Sequence, residues 1–214
     1  MRLTKLGHAC VRLQKGDATL VIDPGTLTEP GVLDGASSVL ITHEHPDHLD
    51  DERLHEAVTR DPYLEIWTNA SVAERLSGLE GRVHTVGQGD TFSVDGFEVA
   101  VHGEQHAVIH PDIPVIPNIG FMVDGEIFHP GDAFTVPDTS VDTLLVPTNA
   151  PWMKISEMID YLREIHPARA YSVHDGLLNE NGLGIVDKTL STRGQELNAE
   201  FRRLTPGEIV ELAR

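Results

Sequence analysis

A short segment around residue 45 concentrates the side chains best suited to bind a metal ion. Three imidazoles and a carboxylate fall within six consecutive positions: His43, His45, Asp47 and His48. The apolar, largely β-branched run 39–41 just before them predicts a buried strand. Because side chains alternate along a strand, the first two imidazoles are expected on the same side. Pro46 would then turn the chain, and Asp47 and His48 would open a helix. This ligand mixture is typical of zinc or a similar divalent ion.

The composition indicates a globular protein rather than a nucleic-acid-binding or membrane protein. The chain has 214 residues, 40% hydrophobic and 23% charged, which suits one domain over residues 1–214. Its net charge of −18 disfavours binding to nucleic acid, because few Lys or Arg are present to replace counterions. No apolar run reaches the ~20 residues that cross a bilayer. We expect a cytoplasmic location, which the single cysteine fits. We also expect a small-molecule substrate. The sequence leaves open whether the protein forms a homo-oligomer.

Hairpins followed by helices predict the fold. Strands are expected at 3–6, 11–13, 18–23, 39–42, 65–68, 82–86, 92–94, 97–101, 119–123, 126–129, 141–147, 170–173 and 208–212. Helices are expected at 48–59, 70–76, 155–165 and 192–203. This order favours two packed sheets with helices outside, an α+β fold arranged as a four-layer αββα sandwich.

Further polar side chains follow later predicted strands. His106 lies beyond the strand that ends near 101, Asp132 follows the strand 126–129, and His174 follows the strand 170–173. Because distant strand ends often build one site, we expect these side chains to join the His43–His48 cluster.

The order of these residues resembles the pattern of the metallo-β-lactamase superfamily. It consists of H-x-H-x-D-H, then a downstream His, an Asp after a strand and a final His. Supporting segments are Gly7-His8-Ala9-Cys10, Val21-Ile22-Asp23-Pro24-Gly25, Phe128-His129-Pro130-Gly131-Asp132 and His174-Asp175. The nearest resemblance is to small single-domain, zinc-dependent hydrolases of the ascorbate-6-phosphate lactonase-like group.

The resemblance implies a centre for two divalent metal ions, zinc first, with manganese or iron as alternatives. The ligands of one ion would be His43, His45 and His106, those of the other Asp47, His48 and His174, with Asp132 between both. The ions would share a hydroxide that attacks a small ester, lactone, thioester or phosphodiester. Asp47 would also be catalytic, orienting the nucleophile or carrying a proton to the leaving group.

Some assignments stay open in the sequence. The third ligand of the first ion could be His102, His106 or His110, and we favour His106 because it follows Gly103, where the strand should break. Asp175 competes with His174. Three further candidates would contact the ligand side chains or the substrate: His8, Asp23 and His110. Alternative functions are a phosphodiesterase or nuclease, and a non-hydrolytic di-iron or metal-binding protein.

Overall fold

The computed structural model, which describes residues 1–79 and 81–212, contains two seven-stranded sheets. The strands of this part of the chain are β1 Arg2–Lys5, β2 Val11–Lys15, β3 Ala18–Ile22, β4 Ser38–Ile41, β5 Glu65–Thr68, β6 Val83–Thr85, β7 Thr91–Val94, β8 Phe97–His102, β9 Gly120–Val123, β10 Ile127–His129, β11 Thr143–Pro147, β12 Arg169–Val173, β13 Glu200–Arg202 and β14 Ile209–Glu211. The α-helices are α1 Asp51–Arg60, α2 Ala70–Arg75, α3 Ile155–Ile165 and α4 Glu180–Leu197.

The first sheet changes from antiparallel to parallel pairing at β3. Its order is β14-β1-β2-β3-β4-β5-β6, antiparallel up to β3 and parallel from β3 to β6. Ile22 pairs with Leu40 at the ends of β3 and β4. Asp23 and the His43–His48 segment therefore leave the sheet side by side.

The second sheet has the same design. Its order is β13-β12-β11-β10-β9-β8-β7, with antiparallel pairs from β7 to β10 and parallel pairs from β10 to β13. The carboxyl ends of β10, β11 and β12 lie at one edge. Asp132, Asn149 and His174 all follow these ends.

Alternating side chains separate three apolar layers. In β4, Leu40 packs between the two sheets, whereas Val39 and Ile41 face the side covered by α1 and α2. On the outer face of the second sheet, residues of β11 and β12 pack against α3 and α4, as Leu144 and Leu162 do. The layers are thus helix, sheet, sheet and helix, so the predicted αββα sandwich is confirmed.

Two predicted helices differ from the structure. The helix after the histidine cluster begins at Asp51 with Asp50 as its N-cap, not at His48. Asp47 and His48 instead lie in a turn in which the His48 amide donates to the His45 carbonyl at 2.9 Å.

The expected helix over 192–203 was also wrong. The final helix is α4, Glu180–Leu197, and residues 200–202 form β13. Gly182 and Gly184 lower helix propensity, which hid the helix start. The helix forms because the Asn179 side chain accepts from the Gly182 amide at 3.1 Å and because Val186 and Leu190 are buried on its inner face.

Within residues 1–79 and 81–212, no helix has both the length and the apolar composition needed to cross a bilayer.

Candidate metal centre

Two adjacent groups of side chains at the joined edges of the sheets are arranged as metal ligands. Within each group the ligand atoms lie within 4.8 Å of one another. The first group contains His43, His45, His106 and Asp132. The second contains His8, Asp47, His48 and His174. The structure therefore brings together every sequence-predicted ligand and adds His8 to the second group.

The imidazoles of the first sheet are oriented by Asp23 and Thr42. Nδ1 of His48 donates to Asp23 Oδ2 at 2.7 Å, and both side chains are fully buried. The Thr42 hydroxyl donates to the same carboxylate at 2.7 Å, so it accepts from Nδ1 of His43 at 2.9 Å. With the proton on Nδ1, Nε2 of each ring is a free ligand atom, and His43 Nε2 lies 3.1 Å from Nδ1 of His45.

Backbone carbonyl groups orient the imidazoles that follow strands of the second sheet. Nδ1 of His106 donates to the Ala107 carbonyl at 2.6 Å, and Nδ1 of His174 donates to the Asn149 carbonyl at 2.5 Å. In their neutral form both rings therefore present Nε2, without a proton, to the clusters.

Asp132 stands between the two groups. Its Oδ1 lies 3.2 Å from Nε2 of His48, and its Oδ2 lies 3.4 Å from Nε2 of His106 and 3.1 Å from Nε2 of His174. Its backbone is fixed by Asn118, whose Oδ1 accepts from the Asp132 amide at 3.0 Å. The Trp152 indole donates to Asp132 Oδ2 at 3.0 Å. One carboxylate thus faces ligands of both groups.

Asp47 is the more accessible carboxylate. Its side chain is 24% exposed, and its Oδ2 lies 3.2 Å from Nε2 of His174 and 3.1 Å from Nε2 of His8. Partial burial alone would raise the pKa of Asp47, but the adjacent His174 and His8 rings outweigh this effect and hold the pKa well below its usual range. Asp47 is therefore ionised at neutral pH and available as a ligand.

The donor set fits a metal ion because several ligand atoms are otherwise unsatisfied. Four of these atoms are buried without a hydrogen-bond partner among the described residues: His48 Nε2, His106 Nε2, His174 Nε2 and Asp132 Oδ1. Buried polar atoms normally have partners, and imidazole nitrogen with carboxylate oxygen is the set that binds zinc and related divalent ions.

Burial and charge act in opposite directions on these groups. Burial holds the pKa of His43 well below its ordinary value. Burial also lowers the pKa of His48, but the Asp132 and Asp23 carboxylates outweigh it and raise the pKa well above the ordinary value. For Asp132, burial raises the pKa, yet the nearby rings of His48, His106 and His174 hold it well below its usual range. The buried ligands thus form a charge-compensated cluster.

Other candidate residues lie outside the two groups. His102 is on β8, with Nδ1 3.9 Å from Asp138 Oδ1. His110 is exposed in the loop after His106. Asp175, the alternative to His174, instead pairs with Lys5, whose Nζ lies 2.9 Å from Asp175 Oδ1.

Sequence reasoning missed the groups that support Asp132. Asn118 lies before β9 in no recognisable motif, and no pattern in the sequence connects Trp152 with Asp132. The only available signal was an Asn placed directly before a predicted strand, which is too common to single out.

Comparison with known proteins agrees with this geometry. Residues 2–174 match the family described as "Beta-lactamase superfamily domain". Protein Rv0786c of Mycobacterium tuberculosis is 41% identical over 192 residues, or 86% of this chain and 89% of that protein. UPF0173 metal-dependent hydrolase Atu1317 of Agrobacterium fabrum is 32% identical over 116 residues, or 50% of this chain and 48% of that protein. Igni18, a metallo hydrolase from Ignicoccus hospitalis, superposes with a TM-score of 0.75 at 19% identity over 98% of this chain and 97% of its own, a likeness of fold. The chain belongs to the β-lactamase superfamily.

Proposed function

We propose that this protein is a metal-dependent hydrolase with a dinuclear centre. The observation that carries the proposal is the convergence of six imidazole rings and two carboxylates, with buried ligand atoms that lack other partners. His43, His45 and His106 would hold one ion, Asp47, His48 and His174 the other, and Asp132 would contact both. When bound, two divalent ions would lower the pKa of a shared water to about 7 and polarise the scissile group. The similarity to the Agrobacterium relative, which is named a metal-dependent hydrolase, supports the activity.

The residues of the chain have distinct roles in this proposal. Asp132 is almost fully buried and fixed by Asn118 and Trp152, so it serves as a rigid ligand. Asp47 is partly exposed on the open side. It would orient the attacking nucleophile or carry a proton to the leaving group, because an ionised carboxylate can accept that proton.

The segments beside the ligands favour an uncharged substrate. They carry exposed apolar side chains, among them Val108 at 57% and Leu177 at 63% relative exposure. Phosphate groups are usually bound by Arg or Lys. Among Lys and Arg, these segments contain only Lys154. The segments are 24–30, 104–118, 132–138, 149–155 and 174–180. We therefore place a neutral ester, lactone or thioester ahead of a phosphodiester.

Metal analysis with two histidine variants tests the centre. We expect the purified protein to bind two zinc ions per chain. His106→Ala should lose one ion and most of its hydrolytic activity, because a first-ion ligand is removed. His102→Ala is the matched control and should keep both ions. The ligand assignment is wrong if His106→Ala keeps two ions while His102→Ala loses one.

A substrate panel tests the reaction class. Matched neutral esters, lactones, thioesters and phosphodiesters would be assayed with the zinc-, manganese- and iron-loaded protein. We expect turnover of a neutral acyl substrate and little turnover of the phosphodiester. Iron-dependent, oxygen-consuming chemistry without hydrolysis would contradict a hydrolase.

A further inference from the structure

We infer that His8, although grouped with the second set of ligands, binds no metal ion and instead acts as a positioning residue that holds Asp47 through a hydrogen bond. This inference rests on the proposed dinuclear centre. It depends on which ring nitrogen of His8 carries the proton, and the contacts of the ring determine that.

Both ring nitrogens of His8 have partners. The Gly176 amide donates to Nδ1 at 3.1 Å, and Nε2 lies 3.1 Å from Oδ2 of Asp47. The ring is buried and its centroid lies 4.0 Å from that of His174. The His8 carbonyl also accepts from the His174 amide at 3.0 Å, so backbone and ring are both attached to the loop after β12.

The Gly176 contact fixes the tautomer. A backbone N–H can only donate, so Nδ1 of His8 must present its lone pair. The single proton of the neutral ring is then on Nε2, which donates to the Asp47 carboxylate. An Nε2 that carries a proton has no lone pair for a metal ion.

The ligand imidazoles show the opposite arrangement. In His48, His106 and His174, Nδ1 donates to an oxygen and Nε2 is buried without a hydrogen-bond partner among the described residues. To bind an ion through Nε2, His8 would have to move its proton to Nδ1. Two donors, Nδ1–H and the Gly176 amide, would then face each other at 3.1 Å inside the protein.

The bond to His8 has a clear consequence for Asp47. Asp47 lies in the turn before α1, and its side chain is partly exposed, so little packing fixes its rotation. The fully buried His8 side chain lies 3.1 Å from Oδ2, and His174 lies 3.2 Å from the same oxygen. Without the His8 donor, the carboxylate would be free to rotate away from the second ion and the nucleophile.

Nitrogen-15 NMR of the histidine rings in protein loaded with cadmium-113 tests the inference directly. The His8 signals are assigned by their loss in His8→Gln. We expect a protonated Nε2, an unprotonated Nδ1 and no coupling to cadmium, whereas His48 and His174 should show that coupling. Cadmium coupling to either His8 nitrogen, or a proton on Nδ1, overturns the inference. His8→Ala supplies the same assignment if His8→Gln does not fold.

Metal titration of variants provides the second test. His8→Gln retains a donor that can reach Asp47, and His8→Ala does not. Both should still bind two zinc ions. His8→Ala should bind the second ion about 10–100-fold more weakly, the usual effect of losing a group that orients a ligand, and His8→Gln should recover most of that affinity.

His84→Gln is the control and should bind both ions as the wild type does. The half-exposed His84 ring stacks on Trp67 and lies on the edge strand β6, two strands from β4. Loss of a whole zinc equivalent in both His8 variants overturns the inference. If the tautomer and metal counts are as expected but no substrate is hydrolysed, the proposed hydrolase activity fails and the role of His8 stands.

Discussion

At the scale of single residues, the position of a proton decides whether an imidazole is a ligand. His48 donates from Nδ1 to Asp23, and His174 donates from Nδ1 to a backbone carbonyl, which leaves Nε2 of each ring for a metal ion. His8 receives a donor on Nδ1 and so takes a different role. Residue type alone does not distinguish these roles, because all three are buried histidines beside the same carboxylates.

Replacing Asp23 with Asn tests this proton placement. Asp23 has a left-handed φ of 52°, which Asn tolerates well, and an Asn oxygen can still accept from the Thr42 amide. The Asn amide would face Nδ1 of His48 as a donor, so the proton of His48 would move to Nε2, the ligand atom. We expect about 10–100-fold weaker binding of zinc, measured by competition with a chelator.

Asp138→Asn, at an exposed side chain outside the centre, is the control for a lost carboxylate and should bind zinc normally. Unchanged zinc affinity in Asp23→Asn would show that Asp23 does not set the tautomer of His48.

At the scale of elements, close backbone contacts fix the loops that carry the ligands. A Cβ on Gly25, after β3, would lie 2.1 Å from the backbone carbonyl carbon and oxygen of Asp47. The Thr26 amide also donates to the Pro46 carbonyl at 2.8 Å. The loop after β3 therefore supports the turn that presents Asp47 and His48.

Gly25→Ala should displace that turn. We expect loss of the second zinc ion and a lower Tm, measured by metal analysis and thermal unfolding. Gly87→Ala is the matched control, because a Cβ there would have no atom within 4 Å. Two zinc ions and an unchanged Tm in Gly25→Ala would mean that the turn does not depend on this contact.

A buried ion pair joins β1 to the loop that carries His174. Lys5 Nζ donates to the Ser172 carbonyl and to Asp175 Oδ1, both at 2.9 Å, and the two charged side chains are only 2% and 9% exposed. Lys5→Met would leave Asp175 buried without its partner. We expect this change to reduce the free energy of unfolding by about 3–5 kcal/mol, measured by denaturant titration.

The double variant Lys5→Met/Asp175→Asn should recover part of that loss, because no unpaired charge remains. Lys15→Met removes a half-exposed ion pair with Asp124 and should cost no more than about 1 kcal/mol. Equal effects of Lys5→Met and Lys15→Met would contradict a special contribution from the buried pair.

At the scale of the whole molecule, the sequence predicts the fold well because its strands alternate clearly and its polar residues follow strand ends. The helix Ile155–Ile165 was predicted with its observed bounds, since its apolar residues share one face. Helix α4 was misplaced because glycines interrupt its pattern. The contacts of Asn118 and Trp152 with Asp132 cross between distant segments, so no local pattern could reveal them.

The contribution of ligands from both sheets explains why metal should stabilise the protein. His43 and His48 come from the first sheet, whereas His106, Asp132 and His174 come from the second. Ions bound between them would connect the two sheets and would bind the folded state only. Free metal at 100 times its Kd stabilises a folded protein by about 2.7 kcal/mol per site, so two ions in a chain of this size correspond to roughly 10–20 °C in Tm.

We therefore expect that removing zinc with a chelator lowers Tm by about that amount and that added zinc restores it. The measurement is thermal unfolding followed by circular dichroism, with zinc content determined on the same samples. His102→Ala should respond as the wild type does, and Asp132→Asn should respond less, because Asp132 is the carboxylate that faces both groups. An unchanged Tm after complete loss of zinc would mean that the ions do not link the sheets, and the ligands would then have to be held in place by protein contacts alone.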